Sequence, residues 1–308
     1  MEKNVIITGA SSYIALNLIQ ILLEKDYTIW AVIRPHSAKR SKLPSNFRVK
    51  IIELDLADMA EISDMGISSC QAVYHFAWDG VRGMGRDDTN IQEQNLLATQ
   101  KCIDMACDMK IPYFIGIGSQ AEYGITQEAT TEETLLRPVT EYGKKKAAAY
   151  LYGMEKAKQG QINFVWARVF STYGKGESPN TLLMHCISRM SVDQPINLSP
   201  CEHLWDYTYI KDVARALMLL MEREVNSGAY DISNGNSTSL KEFVIRLKKL
   251  LHSKSQLNFG AIPYVDTIPV QMNPIADKIR KDTGWTPQFS FEQGIVDMIK
   301  EQENNEKD

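Results

Sequence analysis

Three side chains of this sequence have the chemistry of a proton-transfer centre. Tyr142 and Lys146 stand four apart in Glu141-Tyr142-Gly143-Lys144-Lys145-Lys146-Ala147-Ala148-Ala149-Tyr150, so on a helix they share a face. An ammonium held near a phenol favours the phenolate and lowers a pKa that is otherwise about 10, which makes tyrosine a usable acid or base near neutrality. Ser119 closes the apolar run Tyr113-Phe114-Ile115-Gly116-Ile117-Gly118 and, brought alongside, would hydrogen-bond the same substrate oxygen. The spacing alone discriminates little: with 13 tyrosines in the chain, Tyr152 with Lys156 and Tyr207 with Lys211 repeat it. Only Tyr142 opens a helix behind a polar loop and follows a strand-end serine, so the other two pairs are read as ordinary solvated positions.

These groups need elements to carry them. The run from Ile111 has the profile of a buried strand that delivers Ser119 to the carboxyl edge of a sheet, where open α/β folds place ligands. Thr140 is the candidate N-cap of the helix bearing Tyr142. At the N-terminus, Asn4-Val5-Ile6-Ile7-Thr8 is a short apolar strand that Gly9-Ala10-Ser11-Ser12-Tyr13-Ile14-Ala15 turns into a helix running to about Lys25. Strand, small-residue turn and amphipathic helix form the opening of a dinucleotide-binding unit, whose helix-start N–H groups aim at a pyrophosphate. The second and third glycines of the Thr-Gly-x-x-Gly-x-x-Gly fingerprint are here Ser12 and Ala15. Ser12 still allows close approach and adds a hydroxyl, and Ala15 is small enough for helix to meet strand.

The next strand, Thr28 to Ile33, ends in Arg34-Pro35-His36-Ser37-Ala38-Lys39-Arg40. An acidic residue there would bond the ribose 2′-hydroxyl of NAD, whereas an arginine suits a 2′-phosphate, so NADP(H) is favoured over NAD. A third strand, Val49 to Leu54, precedes Asp55-Leu56-Ala57-Asp58, whose carboxylates reach toward an adenine amino group. A fourth, Ala72 to Ala77, ends in Trp78-Asp79-Gly80. His75 in that strand reads as a satisfied core histidine; Trp78 reads either as a platform for a sugar ring or as filler of the sheet edge. A helix from Arg86 to Met109 carries Asn95 and Thr99 one turn apart, and Ile162 to Arg168 is a further strand. Strands alternating with helices at this rhythm predict an α/β fold with a doubly wound, Rossmann-like parallel sheet.

From Ser171 the rhythm changes. Tyr173-Gly174-Lys175-Gly176 is a turn, Thr181 to Met190 a helix, and a Pro-punctuated stretch leads to Trp205. The chain then returns to the sheet at Tyr207 to Met221 and Ala229 to Ile232, before the last helices and Phe259-Gly260-Ala261-Ile262-Pro263-Tyr264. The expected division is a dinucleotide-binding domain over 1–170, rejoined by 207–233, and a smaller interleaved substrate lobe over 171–206 and 234–308.

Composition narrows the class. A hydrophobic fraction of 44% over 308 residues is ample for a large core, and a net charge of −4 gives no pull toward nucleic acid or anionic membrane. Cys70, Cys102, Cys107, Cys186 and Cys201 form no CxxC pair and are odd in number. They read as core thiols of a cytoplasmic protein, with neither a disulfide framework nor a metal site. Met1-Glu2-Lys3 leads straight into a strand, leaving no room for a signal peptide, and no apolar run approaches the roughly 18 residues of a membrane span. Glu301 to Asp308 reads as a frayed, solvated end.

Taken together these residues resemble an extended short-chain dehydrogenase/reductase of the NAD-dependent epimerase/dehydratase type, enzymes that remodel nucleotide sugars. The resemblance covers nearly the whole length. It rests on Thr8-Gly9 with its altered glycine turn, Asp55-x-x-Asp58, the strand Val73 to Ala77, and Asn95-x-x-x-Thr99. Further on it rests on Ser119 before Tyr123-Gly124, Tyr142-x-x-x-Lys146, Arg168 with Tyr173-Gly174, Tyr209-Ile210-Lys211-Asp212, and Gly284-Trp285-Thr286-Pro287. The resemblance implies that Tyr142 exchanges a proton with a sugar oxygen while hydride moves to or from a nicotinamide. Lys146 would hold the nicotinamide ribose and tune Tyr142, and Ser119 would orient the oxygen. It further implies that Gly9, Ser11, Ser12, Tyr13, Ile14, Arg34, Asp55, Leu56, Phe76, Ala77, Trp78, Asn95, Lys146 and Val169 border the dinucleotide. Trp78, Gln120, Ser171, Thr181 and Trp205 would border the substrate. A homodimer is expected through the two long helices, 86–109 and 142–159, with Ala147, Ala148 and Ala149 allowing close approach.

The departures bear on the substrate. Dehydratases of the family carry an acidic residue two positions after the Ser/Thr; here Gln120 and Ala121 follow Ser119, and Glu122, on a period-2 strand end, is expected to point to the other side. Two arginines that clamp a diphosphate in relatives are replaced, by Trp205 before Asp206 and by Val265 after Pro263-Tyr264, which leaves Arg189, His203 and Arg280 as substitutes. The leading expectation is an NADPH-dependent reductase of a 4-keto-6-deoxy sugar nucleotide, similar in its C-terminal stretch to abequose and paratose synthases. The alternatives are a nucleotide-sugar 4-epimerase with tightly bound NAD and, in another class, a non-catalytic dinucleotide-binding regulator. Hydrolysis at Ser119 is disfavoured because no Gly-x-Ser-x-Gly elbow surrounds it.

Overall fold

Seven short runs of aliphatic and β-branched residues assemble into one parallel sheet. They are β1 (Asn4–Thr8), β2 (Thr28–Ile33), β3 (Val49–Glu53), β4 (Cys70–His75), β5 (Tyr113–Ser119), β6 (Asn163–Val169) and, much later, Gly228–Ile232. The computed structural model describes residues 3–67, 69–126, 128–264 and 271–305. Between the early strands lie α1 (Tyr13–Glu24), α2 (Thr89–Asp108) and α3 (Glu141–Lys158). Beyond β6 follow β7 (Ser171–Tyr173), α4 (Leu182–Met190), β8 (Ile196–Leu198), β9 (Leu204–Trp205), β10 (Tyr207–Tyr209), α5 (Ile210–Glu222) and β11 (Gly228–Ile232). The chain ends with β12 (Thr238–Ser239), α6 (Leu240–Leu250), β13 (Leu257–Phe259), α7 (Asp277–Thr283) and α8 (Phe291–Asn305).

The sheet order is β11-β6-β5-β4-β1-β2-β3, every neighbour pair parallel. Because both faces are covered, the strands are apolar on both sides, and their period of two sorts them into two layers. Val5, Ile7, Ile115, Ile117, Val165 and Ala167 face α1 and α5 through Leu18, Leu22, Val213 and Leu217. Ile6, Val73, Phe114, Phe164 and Trp166 face the α2–α3 side with Cys102, Ile103 and Ala149. This is the doubly wound, Rossmann-like architecture expected from the strand–helix rhythm. The order reverses between β1 and β4, and a crevice outside the strand ends at such a switch point is where ligands enter. Pairing of β4 with β5 stops at His75 and Gly116, while β5 runs on beside β6 to Ser119 and Val169. Ser119 therefore projects past the edge of β4.

Several element boundaries differ from the sequence expectation. Arg86 belongs to a separate 3-10 turn, Gly83–Arg86, and α2 begins at Thr89, because the Asp88 carboxylate accepts the N–H groups of Asn90 and Ile91 and so caps the helix there. Tyr207 does not re-enter the main sheet: β10 pairs with β7, and α5 then packs on α1. Of the 259–264 stretch, Phe259 ends β13, which pairs with β8; Val265 lies outside the described residues. The acidic end is not frayed as far as Asn305: α8 continues to that residue, and Glu301 and Asp297 both bind the Lys211 ammonium, at 2.9 and 2.6 Å. Among the described residues no helix is long and apolar enough to cross a membrane.

Candidate active site

A cavity of about 820 Å³ opens along the carboxyl ends of β1, β2, β3 and β4. Gly9 sits at its root with φ of +63°, and a Cβ there would lie 2.6 Å from the Ala77 backbone nitrogen. Only glycine combines that left-handed conformation with that close approach. The following turn starts α1 at Ser12, whose side chain makes no cap and whose buried hydroxyl has no partner, so a helix N-terminus and a free hydroxyl are available to an anion. Of the residues expected to border a dinucleotide, Gly9, Ser11, Ser12, Arg34, Asp55, Leu56, Phe76, Ala77, Trp78 and Asn95 line this cavity, and Tyr13, Ile14, Lys146 and Val169 do not.

The reasons for those four are local. Tyr13 and Ile14 pack into the main core, and burial together with Glu177 drives the Tyr13 phenol well above its usual range. Val169 is buried as the last residue of β6. Lys146 is also buried: its ammonium donates to the Ile117 carbonyl at 2.7 Å, and the indole of Trp78, which does line the cavity, stands 3.6 Å from it. Trp78 borders the cavity and also packs on its neighbours. It covers the ammonium, edge-on to the Tyr142 ring at 6.1 Å.

Residues that sequence reasoning missed hold this cover in place. Gln92, fully buried on α2, accepts from Trp78 Nε1 at 2.8 Å and donates to the carbonyls of Gly80 and Gly85 at 3.1 and 2.7 Å. Asn95, one turn on, accepts from the Asp79 N–H at 2.9 Å and donates to the Asp79 carbonyl at 2.8 Å. The visible signal was a Gln92-x-x-Asn95 pair on one helical face. At the far end, Ser37, Lys39 and Lys101 join Arg34 around the cavity; the first two belong to the basic stretch after β2. Arg34 is already engaged by Asp79 in a two-pronged ion pair at 3.1 and 3.2 Å. Asp55 accepts from the Ala57 N–H at 2.9 Å, capping the 3-10 turn Leu56–Met65.

At the near end the three reactive groups converge. Thr140 caps α3 by accepting from the Gly143 N–H, and α3 then buries Tyr142 and Lys146 against the end of β5. Ser119 acts to lower the pKa of the Tyr142 phenol, and the Arg86 guanidinium lies 4.7 Å from its ring centre. The expected depression of the phenol is absent. Burial raises the Tyr142 pKa above the ordinary value, with Ser119 and Arg86 only partly opposing it. The physical reason is that Lys146 is itself desolvated: burial pulls its pKa down to about 7 against the raising influence of Glu122. Ser119 also donates to Gln120 Oε1 at 2.7 Å.

Glu122 is not on a strand end. β5 stops at Ser119 and Gln120–Glu122 is a 3-10 turn, which folds the carboxylate back under the strand onto Arg168. His75 is the satisfied core histidine expected, bonded to Thr8 and Thr99 at 2.7 and 2.9 Å and pushed down to about 3 by burial and by Lys146. Of the chance Tyr-x-x-x-Lys pairs, Tyr152 and Lys156 clip α3 to Asp104 of α2, whereas Lys211 joins Tyr209 on Asp297 of α8 and Tyr207 is half-buried in an aromatic cluster.

Of the residues expected at the substrate, Trp78 lines the cavity and Gln120, Ser171, Thr181 and Trp205 do not. Trp205 packs beside Tyr123, Phe170 and Met272, with its indole nitrogen buried and unpartnered. Ser171 is half-buried next to Met272, and Thr181 stands at the N-cap position of α4 without a side-chain cap, its hydroxyl donating instead to the Ser178 carbonyl. Asp206 receives the N–H groups of Asn234, Gly235 and Asn236 and is a loop anchor. None of the three suggested substitutes for the missing arginines lines the cavity. Arg189 is held by Gln194, His203 stacks on Tyr264 at 4.2 Å, and Arg280 donates to the Asn234 carbonyl.

Comparison with known proteins follows the same lines. The family model described as "NAD dependent epimerase/dehydratase family" matches residues 5–234. The chain is 25% identical over 313 residues to CDP-abequose synthase of Salmonella muenchen, covering 98% of this chain and 99% of that protein. It is 23% identical over 319 residues to dTDP-4-dehydro-6-deoxyglucose reductase of Escherichia coli, covering 97% of each. Among solved structures, UDP-glucose 4-epimerase of Thermotoga maritima, with UDP-glucose, superposes with a TM-score of 0.88 at 20% identity, covering 98% of this chain and 99% of that one. UDP-glucuronic acid 4-epimerase of Bacillus cereus, with UDP-glucuronic acid and NAD, gives 0.84 at 24% identity, covering 97% and 99%. These last two are likenesses of fold.

Proposed function

The chain belongs to the NAD dependent epimerase/dehydratase family, and from that premise we propose that it reduces the 4-keto group of a 6-deoxy sugar nucleotide with NADPH. The observation that carries this reading is a buried phenol, held in its neutral form and influenced by Ser119, packed against the Trp78 indole that lines a cavity fit for a dinucleotide. The fit rests on the Gly9 approach, the unpartnered Ser12 hydroxyl and the uncapped start of α1. Gly9, Ser11 and Ser12 would take the pyrophosphate, Asp55 and Leu56 the adenine, and Arg34, Ser37 and Lys39 the 2′-phosphate. A nicotinamide bound in this cavity supplies the hydride. Tyr142 gives its proton to the carbonyl oxygen as that oxygen gains charge, and Ser119, once its single proton turns from Gln120 Oε1, donates a hydrogen bond to the same atom. Lys146 adds the field of a buried cation, and the Trp78 indole keeps water from it. Gln120 and Ala121 provide no acid that would expel water from a neighbouring carbon, so reduction is favoured over dehydration. The names of the two curated relatives support the same substrate class.

A 4-epimerase that keeps NAD bound uses the same three groups, and the Arg34–Asp79 pair is the observation on its side, since that guanidinium already has a carboxylate. Two measurements separate these. The purified protein is denatured and its released nucleotides identified; then NADPH consumption is followed with dTDP-4-dehydro-6-deoxyglucose. NADPH consumption by wild type and its loss in Y142F support the reductase. Stoichiometric NAD released from the protein, with no NADPH consumption, overturns it. The same reading includes a cytoplasmic homodimer joined through the outer faces of α2 and α3, where Leu151 is 62% exposed.

A further inference from the structure

We infer that Glu122 is a positioning residue, which pins Ser119 at the end of β5 and supplies the counter-charge to the Lys146 ammonium. Its carboxylate is completely buried, a state that a charge tolerates only when paired and fully hydrogen-bonded. Oε1 accepts from the Ser119 N–H at 2.7 Å and from Trp166 Nε1 at 2.9 Å, and Oε2 accepts from Arg168 Nε at 2.8 Å. The first of these bonds completes a reciprocal cap, in which Glu122 holds the Ser119 backbone N–H while the Ser119 hydroxyl accepts from the Ala121 N–H. The strand is cut to admit this arrangement: a Cβ at Gly118 would lie 2.7 Å from Glu122 Oε1 and 2.4 Å from Trp166 Nε1, and at Gly116 2.3 Å from the Trp166 ring. Two glycines in the middle of a buried strand cost stability, and here they make room for a carboxylate and the indole that holds it.

The charged and titratable groups around the pair come from every neighbouring element. Arg168 of β6 and Tyr123 face Glu122 from below, where Arg168 also donates to the Tyr123 hydroxyl at 2.9 Å, and Asp231 of β11 lies behind them, accepting from that hydroxyl. Lys146 is faced by His75 of β4, Trp78, Trp166 of β6, and Tyr142 on its own helix. The Trp166 indole touches both groups, its Nε1 on Glu122 Oε1 at 2.9 Å and its ring centre 5.6 Å from the Lys146 nitrogen, and Glu122 raises the Lys146 pKa against its burial. The proposal rests on the reading of Ser119, Tyr142 and Lys146 as the reacting set, and its test is chosen to fail separately.

The test follows the titration of Lys146 itself by the carbon-13 NMR signal of its ε-carbon, assigned by its absence in K146R, in wild type, E122Q and R168Q. This needs no substrate, and a purely structural role for Glu122 would not move it. In E122Q the ammonium loses its counter-charge at nearly constant shape, and the Lys146 midpoint falls by about one pH unit or more. In R168Q the buried carboxylate loses its guanidinium and takes up a proton, so the midpoint falls there too. R168Q carries the test if E122Q does not fold. A midpoint unchanged to within about 0.3 unit in the variant that folds overturns the proposal. The kcat/KM profile with NADPH and dTDP-4-dehydro-6-deoxyglucose serves as the second readout, and its alkaline limb moves to lower pH in E122Q. Undiminished reduction by Y142F sinks the reading of the reacting set instead, and leaves the Lys146 titration to stand or fall alone.

Discussion

Cofactor choice can be worked from one exposed ion pair. Arg34 and Asp79 are 68% and 59% exposed at their side chains, so their mutual attraction is worth only about 0.2–1 kcal/mol to the fold. An incoming 2′-phosphate must compete with Asp79 for the same guanidinium and approach the Asp79 charge. D79N removes both penalties. Releasing the pair contributes about 0.2–1 kcal/mol, and deleting one unit of like charge about 6 Å from a phosphate carrying roughly two, at the dielectric of water, contributes about 1.4 kcal/mol. Their sum predicts that D79N binds NADP+ tighter by a factor of about 10 to 50, at 1.4 kcal/mol per tenfold. NAD+ lacks the phosphate and changes by less than about threefold. R34A does the reverse, losing charge-assisted bonds worth about 1.5–3 kcal/mol to NADP+ only. Titration calorimetry with both nucleotides at low and high salt measures the effects, and salt should shrink the D79N gain. Equal changes for NAD+ and NADP+ in both variants would refute the assignment of this end of the cavity to a 2′-phosphate.

Three further outcomes follow from the geometry. W78A uncovers the Lys146 ammonium to water, so the Lys146 midpoint rises from about 7 toward its ordinary value; an unchanged midpoint by the same NMR titration means the indole is not what desolvates it. His75 has a folded-state pKa of about 3, below its unfolded value, so the unfolded chain binds the extra proton and stability falls as pH drops from about 6.5 toward 3, by up to about 1.4 kcal/mol per pH unit. Urea midpoints of wild type and H75N across that window check this, and parallel losses in the two proteins count against it. Finally, L151E places a charge on the exposed face of α3 and should turn the proposed dimer into a monomer by light scattering with the fold intact; a wild-type protein already monomeric removes that interface.

Much of the site was legible because its parts are local. A glycine after a short apolar strand, a basic stretch after the second, a serine closing the fifth and a Tyr-x-x-x-Lys opening a helix each follow from spacing of a few residues. What spacing could not carry was where the flanking side chains turn. Glu122 was placed by a strand period that ends three residues too early, and a 3-10 turn reversed its direction. Gln92 and the Asp79 carboxylate, which hold the cover over Lys146 and occupy Arg34, act across 12 to 45 positions of chain.

The sequence alone determined the strand–helix rhythm of a parallel sheet and the identity of the three converging groups, because period, capping and turn chemistry act between near neighbours. Only the tertiary structure decided their electrostatics. Whether Tyr142 is acidic or neutral depends on how deeply Lys146 is buried, on the Trp78 ring above it and on the Glu122 carboxylate beneath, and desolvation is a property of everything packed around a charge rather than of the residues next to it in the chain.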